Sequence, residues 1–351
     1  MRTPSTIFAP LLSWFARARR DLPWREAPRD PYRVWLSEVM LQQTRVEVVI
    51  PYFRRFLQRF PTLDALAEAG EDEVLALWSG LGYYARGRNL HRAARAAAAL
   101  GGLPRTAAAL RELPGFGPYT AAAVASLSFG EQVALVDGNV ARVLARVLRL
   151  PGDAAAARER AWRIAPQLLP SGRAGEFNEA LMELGATVCT PRQPRCDICP
   201  LRRGCGARQS GEVERFPGPK RKKIRERLVW AAPALLRRDG SVLLRRRKEG
   251  ELFAGLWDLP SAQVRKGDVA TALRTALAAC GVPGHPRLEP RGEVRQLLTH
   301  RDLRVLLFTA RTRAAPPPDG LRWTSPADLS KLGLSSLARK CLRTAGVAFP
   351  G

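Results

Sequence analysis

The sequence predicts a multidomain chain, an all-α region followed by an α+β region, and three observations predict it. From Ser5 to about Leu201 apolar residues recur at three- and four-residue spacing, the period of helices that bury one face. Short breakers punctuate that period: Pro61-Thr62, Gly101-Gly102, Pro114-Gly115, Gly130 and Pro151-Gly152, so the helices are many and their turns tight. Beyond Cys205 the pattern changes, and β-branched and apolar runs bounded by turn residues take over. The expected division is 1–212 helical, 213–228 linker and 229–351 α+β.

Taken in order, Ile7–Phe15 is briefly apolar but is followed by Arg17, Arg19 and Arg20 instead of a small-residue cleavage site, so it reads as a first amphipathic helix and not as a signal core. Helical segments follow at Tyr32–Val49, Leu63–Trp78, Arg86–Leu100, Tyr119–Leu127 and Asn139–Leu148. The linker carries Arg215, Lys220, Arg221, Lys222, Lys223, Arg225 and Arg227 with Pro217 and Pro219, a composition unsuited to a core. Val229–Leu236, Val242–Arg247 and Val305–Ala310 read as strands, with one helix, Ala270–Ala279, between them.

The chain of 351 residues has a formal net charge of +25 and a pI near 11.2. Such an excess repels itself unless a polyanion is near, which points to nucleic acid; the alternative is a composition bias toward Arg and Ala, visible in His91–Leu100. No apolar run reaches the ~18 residues a membrane span needs.

Of six cysteines, Cys189, Cys196, Cys199 and Cys205 cluster, with six, two and five residues between them, while Cys280 and Cys341 stand alone. A secreted scaffold would spread its bridges, so a reducing cytoplasm and a thiolate-held metal group are expected. Thiolates suit iron–sulfur clusters or zinc. A structural zinc site usually has two close Cys pairs, and this spacing has one. Arg192, Arg195, Arg202, Arg203 and Arg208 surround the cysteines, where they could face phosphates.

Leu113-Pro114-Gly115-Phe116-Gly117-Pro118 separates two helical patterns and is followed by Tyr119. Glycines there let backbone approach a ligand, and the free N–H groups of the next helix face it. Residues 108–130 thus read as a helix–hairpin–helix, a device that grips phosphates without reading bases. About twenty residues on, Asp137 in Val136-Asp137-Gly138-Asn139-Val140 reads as a helix cap. Hairpin and acid at this distance resemble the helix–hairpin–helix DNA glycosylases. In these the sugar carbon gains positive charge as the base leaves, and a fixed carboxylate stabilises it.

Further motifs narrow the resemblance: Leu22-Pro23-Trp24-Arg25, Trp35 to Thr44 with Glu38 at its centre, Gly80 to Arg86, and Phe177-Asn178-Glu179-Ala180. With the cysteine spacing, which matches the [4Fe–4S] loop of the endonuclease III and MutY superfamily, the whole chain resembles the MutY family of adenine DNA glycosylases. The resemblance implies a [4Fe–4S] cluster on Cys189, Cys196, Cys199 and Cys205. It implies Glu38 as general acid, with Asp137, Tyr119 and Asn139 about the developing charge, and Trp24, Arg25 and Glu179 around the adenine. Leu41, Gln43, Thr44 and Tyr83 would contact or fill the opened duplex, and Gly115 and Gly117 would hold phosphate. The implied partner is double-stranded DNA with A:8-oxoguanine or A:G mispairs, and the implied state is a cytoplasmic, nucleoid-associated monomer. The pyrimidine-specific relatives carry a nucleophilic Lys where this chain has Tyr119, and some MutY proteins have Lys where it has Ala141. Neither residue offers an amine for a Schiff base, so a monofunctional glycosylase is expected and a pyrimidine glycosylase–lyase is not.

Glu251 to Val282 resembles a Nudix domain. The helix position that holds Mg²⁺ through glutamates in active pyrophosphatases here has Thr275, Ala278 and Ala279, which lack the hard oxygen ligands required. The resemblance therefore implies a recognition module, in which Thr299 and His300 of Leu298-Thr299-His300 match the lesion-reading loop and Leu298 lacks its aromatic ring. A binding protein with dead catalysis is the remaining alternative, and intact Glu38 and Asp137 argue against it.

Overall fold

The computed structural model describes residues 4–219, 224–282, 286–312 and 319–348; the linker cations Lys220, Arg221, Lys222 and Lys223 lie outside them. The chain forms two compact units, Met1–Ala67 with Arg92–Lys222, and Glu68–His91 with Lys223–Gly351. The linear division at 212–229 does not capture this, because a helical segment from the middle of the first region packs with the second. Among the described residues no helix is long and apolar enough to cross a membrane.

The first unit is all helix. Pro31–Leu41 begins with Pro at its first position and Asp30 as cap, whose carboxylate accepts from the Tyr32 and Arg33 amides. Its residues from Val34 to Met40 are all buried, so this is a central helix without a solvent face. The predicted helix Tyr32–Val49 is broken: after Leu41 comes a turn in which Gln43 has φ 59°, and Val46–Arg59 starts a new helix. Leu63–Trp78 is likewise two helices, Leu63–Glu68 and Glu71–Trp78.

The hairpin places Phe116 flat against Trp35, ring centroids 5.2 Å apart, a contact worth about 1 kcal/mol beyond burial. Gly115 takes φ 79°, which a side chain would resist. Gly117 instead has ordinary extended backbone and caps Pro118–Phe129, whose residues Thr120–Ser126 are wholly buried. Asp137 caps Gly138–Val147, accepting from the Val140 amide. Both helices pack on Ala174–Thr187. A Cβ on Gly175 would lie 2.3 Å from the Ser126 carbonyl oxygen, and one on Gly185 2.6 Å from Asn139 Cβ. Two glycines on one helix thus let its neighbours come close.

The second unit is built on a mixed sheet of β1 (Glu226–Leu236), β2 (Val242–Arg246), β3 (Trp257–Asp258), β4 (Ala262–Gln263), β5 (Glu289–Leu297), β6 (Arg301–Arg311) and β7 (Leu321–Thr324). Strand order is β3-β2-β1-β6-β5, with β4 on β1 and β7 on β2; β1 and β6 are parallel and the other pairs antiparallel. Alternation along β1 sends Ala232 and Ala234 to one face, against Leu337 and Leu342 of Ser336–Thr344. Ala231 and Leu235 face the other way, toward Leu273 and Leu277 of Val269–Ala278. The sheet therefore carries a helix on each face, where the sequence reading has only the latter. Glu68–His91 adds Glu71–Trp78, whose Asp72 accepts from Trp257 Nε1 at 3.1 Å, while Ser79 Oγ donates to the Leu334 carbonyl at 2.9 Å.

Candidate active site

A cleft of about 840 Å³ opens in the first unit. Six segments converge on it: residues 20–29, the end of Pro31–Leu41 with the turn after it, the hairpin with its following helix, the Asp137 cap, Ala154–Leu168 and Ala174–Thr187. Glu38, Leu41, Gln43, Thr44, Gly115, Gly117, Tyr119, Asp137, Asn139, Trp24, Arg25 and Glu179 all line it. Residues more than a hundred positions apart in the chain thus meet in one cavity.

Glu38 is 6% exposed, although its helix brings it to the cleft wall. Burial, reinforced by the charges of Asp137 and Glu179, pushes its carboxyl up to about 7, against the opposing pull of a Tyr119 hydrogen bond and of Arg25. The Tyr119 hydroxyl donates to Glu38 Oε2 at 2.5 Å and lies 3.3 Å from Met182 Sδ. Burial also raises Asp137. Its two oxygens, however, accept from the Val140 amide at 2.7 Å and from Asn139 Nδ2 at 2.9 Å, and such donors favour the anion. Burial raises both acids, but the Asp137 carboxylate meets backbone and carboxamide donors where Glu38 meets a phenol.

A second acidic pair, Glu179 and Glu183, is held by arginines. Arg25 Nε donates to Glu179 at 2.7 Å and its Nη2 to Glu183 at 2.9 Å; Arg29 pairs with Glu179 at 2.7 Å and Arg20 with Glu183 at 2.7 Å. Burial pulls Glu183 up, but the bonds and charges of Arg20 and Arg25 outweigh it and hold the carboxyl below its usual range. The sequence reading assigns none of Glu183, Arg20, Arg29 and Met182 to the site. The four-residue step from Glu179 to Glu183 on one helix face was the available signal.

Trp24 is buried edge-on to Phe53, centroids 5.3 Å apart. Gln42 Nε2 reaches Thr120 Oγ1 at 3.2 Å, joining the turn to the hairpin helix. From Gly138–Val147, Arg142 donates to Asn139 Oδ1 and to the Gly185 and Cys189 carbonyls, each at 2.8 Å. One guanidinium thereby fixes the cap, the neighbouring helix and the first cysteine.

Cys189, Cys196, Cys199 and Cys205 ring a small space lined by Val143, Leu184 and Leu201. Among the described residues no three His, Cys, Asp or Glu side chains stand close enough to hold a single metal ion. Burial raises Cys196, Cys205 and Cys199, the last to about 12, and repulsion from the neighbouring thiolates adds to each. Arg146, 2% exposed, points its guanidinium at this loop, with Nη1 2.6 Å from the Thr190 carbonyl and 3.4 Å from Cys189 Sγ. A buried cation satisfied by carbonyls and a sulfur suits a set of anionic thiolates around a multinuclear group.

The remaining predicted residues belong to the second unit. Tyr83 is 46% exposed with φ 48°, and its hydroxyl lies 2.9 Å from Thr299 Oγ1 in the β5–β6 turn; Thr299 and His300 are exposed there. Gln43 in the cleft and Tyr83 share a left-handed backbone that non-glycine residues seldom adopt and that costs about 1 kcal/mol.

Residues 36–167 match the profile of HhH-GPD superfamily base excision DNA repair proteins, and residues 231–344 that of the NUDIX domain. The chain is 36% identical to the adenine DNA glycosylase of Mus musculus, covering 95% of this chain and 76% of the relative. It is equally 36% identical to that of Homo sapiens, covering 97% and 74%. Among solved structures, a thermostable thymine-DNA glycosylase aligns with a TM-score of 0.53 at 30% identity, over 59% of this chain and 97% of that one. An endonuclease III–DNA complex aligns at 0.50 and 22% identity, over 60% and 99%, a likeness of fold. On sequence, fold and the convergence of its acids, the chain belongs to the adenine DNA glycosylase family.

Proposed function

We propose that the cleft hydrolyses the N-glycosidic bond of adenine mispaired with 8-oxoguanine or G in double-stranded DNA, leaving an abasic site in base excision repair, without lyase activity. The observation that carries this reading is Glu38, a buried carboxyl held near 7 on a wall it shares with Asp137. A general acid works best when its pKa lies near the working pH.

Adenine is a poor leaving group as an anion. Glu38 gives its proton to N7 of the extruded base, the C1′–N9 bond breaks with its electron pair passing to the base, and neutral adenine departs. The cation left at C1′ faces Asp137, whose donors from Val140 and Asn139 favour its anion and are in place before the bond breaks. Water adds to C1′ and its proton returns to Glu38, so the acid is regenerated.

Extruding a base costs a few kcal/mol. Leu41, Gln43, Thr44 and Tyr83 offset it by occupying the opened stack, while Gly115 and Gly117 receive backbone phosphate. Trp24, Arg25 and Glu179 form the adenine pocket, and the ion pairs tying Arg25 to Glu179 fix that pocket before DNA arrives. Thr299 and His300 read the 8-oxoguanine. Cys189, Cys196, Cys199 and Cys205 would hold a [4Fe–4S] cluster, which supplies a rigid cross-link for the basic loop that meets phosphate. The enzyme acts as a monomer on nucleoid DNA in the cytoplasm.

Adenine release is measured from duplexes carrying A opposite 8-oxoguanine, G or T. Release from the first two, with no covalent adduct trapped by borohydride, is expected. Binding without release from any duplex overturns the catalytic reading, and strong trapping overturns the monofunctional one.

A further inference from the structure

The loop that presents Tyr83 is unusual backbone: Gly80, Gly82 and Tyr83 all have positive φ, 105°, 71° and 48°. Something must hold an exposed aromatic residue in a conformation it disfavours. The contacts that do so converge on Arg86. Its Nη2 donates to the Leu81 and Gly82 carbonyls, each at 3.2 Å, and its amide to the Tyr83 carbonyl at 2.8 Å. Its guanidinium lies 5.4 Å from the Tyr83 ring centroid and 5.5 Å from that of Trp78, within cation–π range of both. Trp78 closes the arrangement, its Nε1 donating to the Gly82 carbonyl at 3.2 Å. Burial lowers Arg86 to about 10, leaving it cationic at neutral pH.

We infer that Arg86 is a positioning residue for lesion recognition: it fixes the left-handed Leu81–Tyr83 loop so that the Tyr83 ring stands ready to stack into the duplex beside the damaged base. Arg86 itself touches no DNA in this scheme. The inference rests on the proposed reading that Tyr83 enters the stack. A planar guanidinium is required, since the group whose Nη2 serves both carbonyls must also lie against the two rings; the point charge of Lys can do only part of this.

The test compares Tyr83→Ala, Arg86→Met, Arg86→Lys and the Tyr83→Ala/Arg86→Met pair. Read-outs are the ratio of adenine release opposite 8-oxoguanine to that opposite G, the fluorescence of 2-aminopurine placed beside the lesion, and the unfolding midpoint. Base–aromatic stacking is worth about 1–3 kcal/mol, so Tyr83→Ala should lower the ratio about tenfold or more. Arg86→Met should lower it comparably and reduce the 2-aminopurine signal, Arg86→Lys should fall between, and the double variant should be no worse than Tyr83→Ala. If Tyr83→Ala lowers the ratio and Arg86→Met does not, the inference fails while the reading of Tyr83 stands. If Tyr83→Ala leaves the ratio unchanged, that reading fails and takes the inference with it. A lowered midpoint with both release rates reduced equally would make Arg86 merely structural and also overturn it.

Discussion

One cleft holds two pairs of acids with opposite electrostatics, Glu38, Glu179 and Glu183 buried and Asp137 half-buried. Glu38 and Asp137 meet hydroxyl, amide and carboxamide donors and are both pushed upward by burial. Glu179 and Glu183 meet three guanidinium groups, and Glu183 is held down although its side chain is only 1% exposed. Burial is common to both pairs, so burial alone does not decide protonation; the partner does. On the proposed reading, the difference divides the labour of the cleft. A proton donor needs a neutral acid, whereas a rigid pocket wall needs a fixed ion-pair network.

The largest effect should come from removing the proton. Glu38→Gln keeps shape and hydrogen-bonding capacity but cannot act as an acid, and general acid catalysis contributes about 10²–10⁴-fold. Single-turnover adenine release should fall by that order while affinity for mismatched duplex changes little. Unchanged turnover would remove Glu38 from the chemistry.

The same type of change in the other pair should act on stability instead. Glu183→Gln leaves Arg20 and Arg25 without a carboxylate they both contact, and breaking a buried pair by removing one partner costs about 3–5 kcal/mol; Arg20 is one-third exposed, which places the expectation at the lower end. Because Glu183 is depressed below its ordinary value, its contribution is present at neutral pH and is lost as pH falls through the depressed value. Wild type and Glu183→Gln should therefore converge in unfolding free energy in strong acid. A parallel pH dependence of the two would show that the network does not act through charge.

The contrast sharpens when Glu38→Gln is unfolded rather than assayed. Glu38 is raised from 4.5 to about 7, so the folded state binds its proton more tightly than the unfolded chain. Stability linked to this group is complete below about pH 4.5 and declines as pH rises to about 7. Above that, ionised Glu38 weakens the fold by about 3 kcal/mol. The Gln variant escapes the penalty and should be more stable than wild type at pH 8, the gap closing toward pH 4. A chemical denaturation series across this window measures it, and a variant less stable at pH 8 would contradict the assigned environment.

What was legible in the sequence follows the same division. Glu38, Asp137, Tyr119 and the four cysteines stand in motifs that resemble those of the MutY family, which is what pointed to their roles, and the fold assembles the first three in one cleft and the cysteines around one space. Arg142 and Arg146 were not legible, and Glu183 only as a second acid one turn after Glu179, since each matters through a partner remote in sequence, such as Arg20 or Cys189. The helix break at Gln43 was hidden because no glycine or proline marks it; a Gln takes the positive φ. The attachment of Glu68–His91 to the second unit could not be read at all, because periodicity reports which face is buried and not what buries it. Ser336–Thr344 escaped for a similar reason: its Arg and Lys residues mask Leu337, Ala338, Cys341 and Leu342, which form its buried face.

The smallest expected effect isolates a single contact. The Tyr119 hydroxyl bond lowers Glu38 against the upward push of burial. Tyr119→Phe removes that bond while keeping the ring, so the Glu38 carboxyl should rise further and remain protonated to higher pH. The alkaline limb of the pH–rate profile should then move upward even if the maximal rate falls. Because a misplaced acid would lower the rate without moving the limb, the profile separates electrostatic tuning from simple positioning. An unshifted or downward-shifted limb would mean that Tyr119 serves the cleft through packing against Met182 and not through the proton on Glu38.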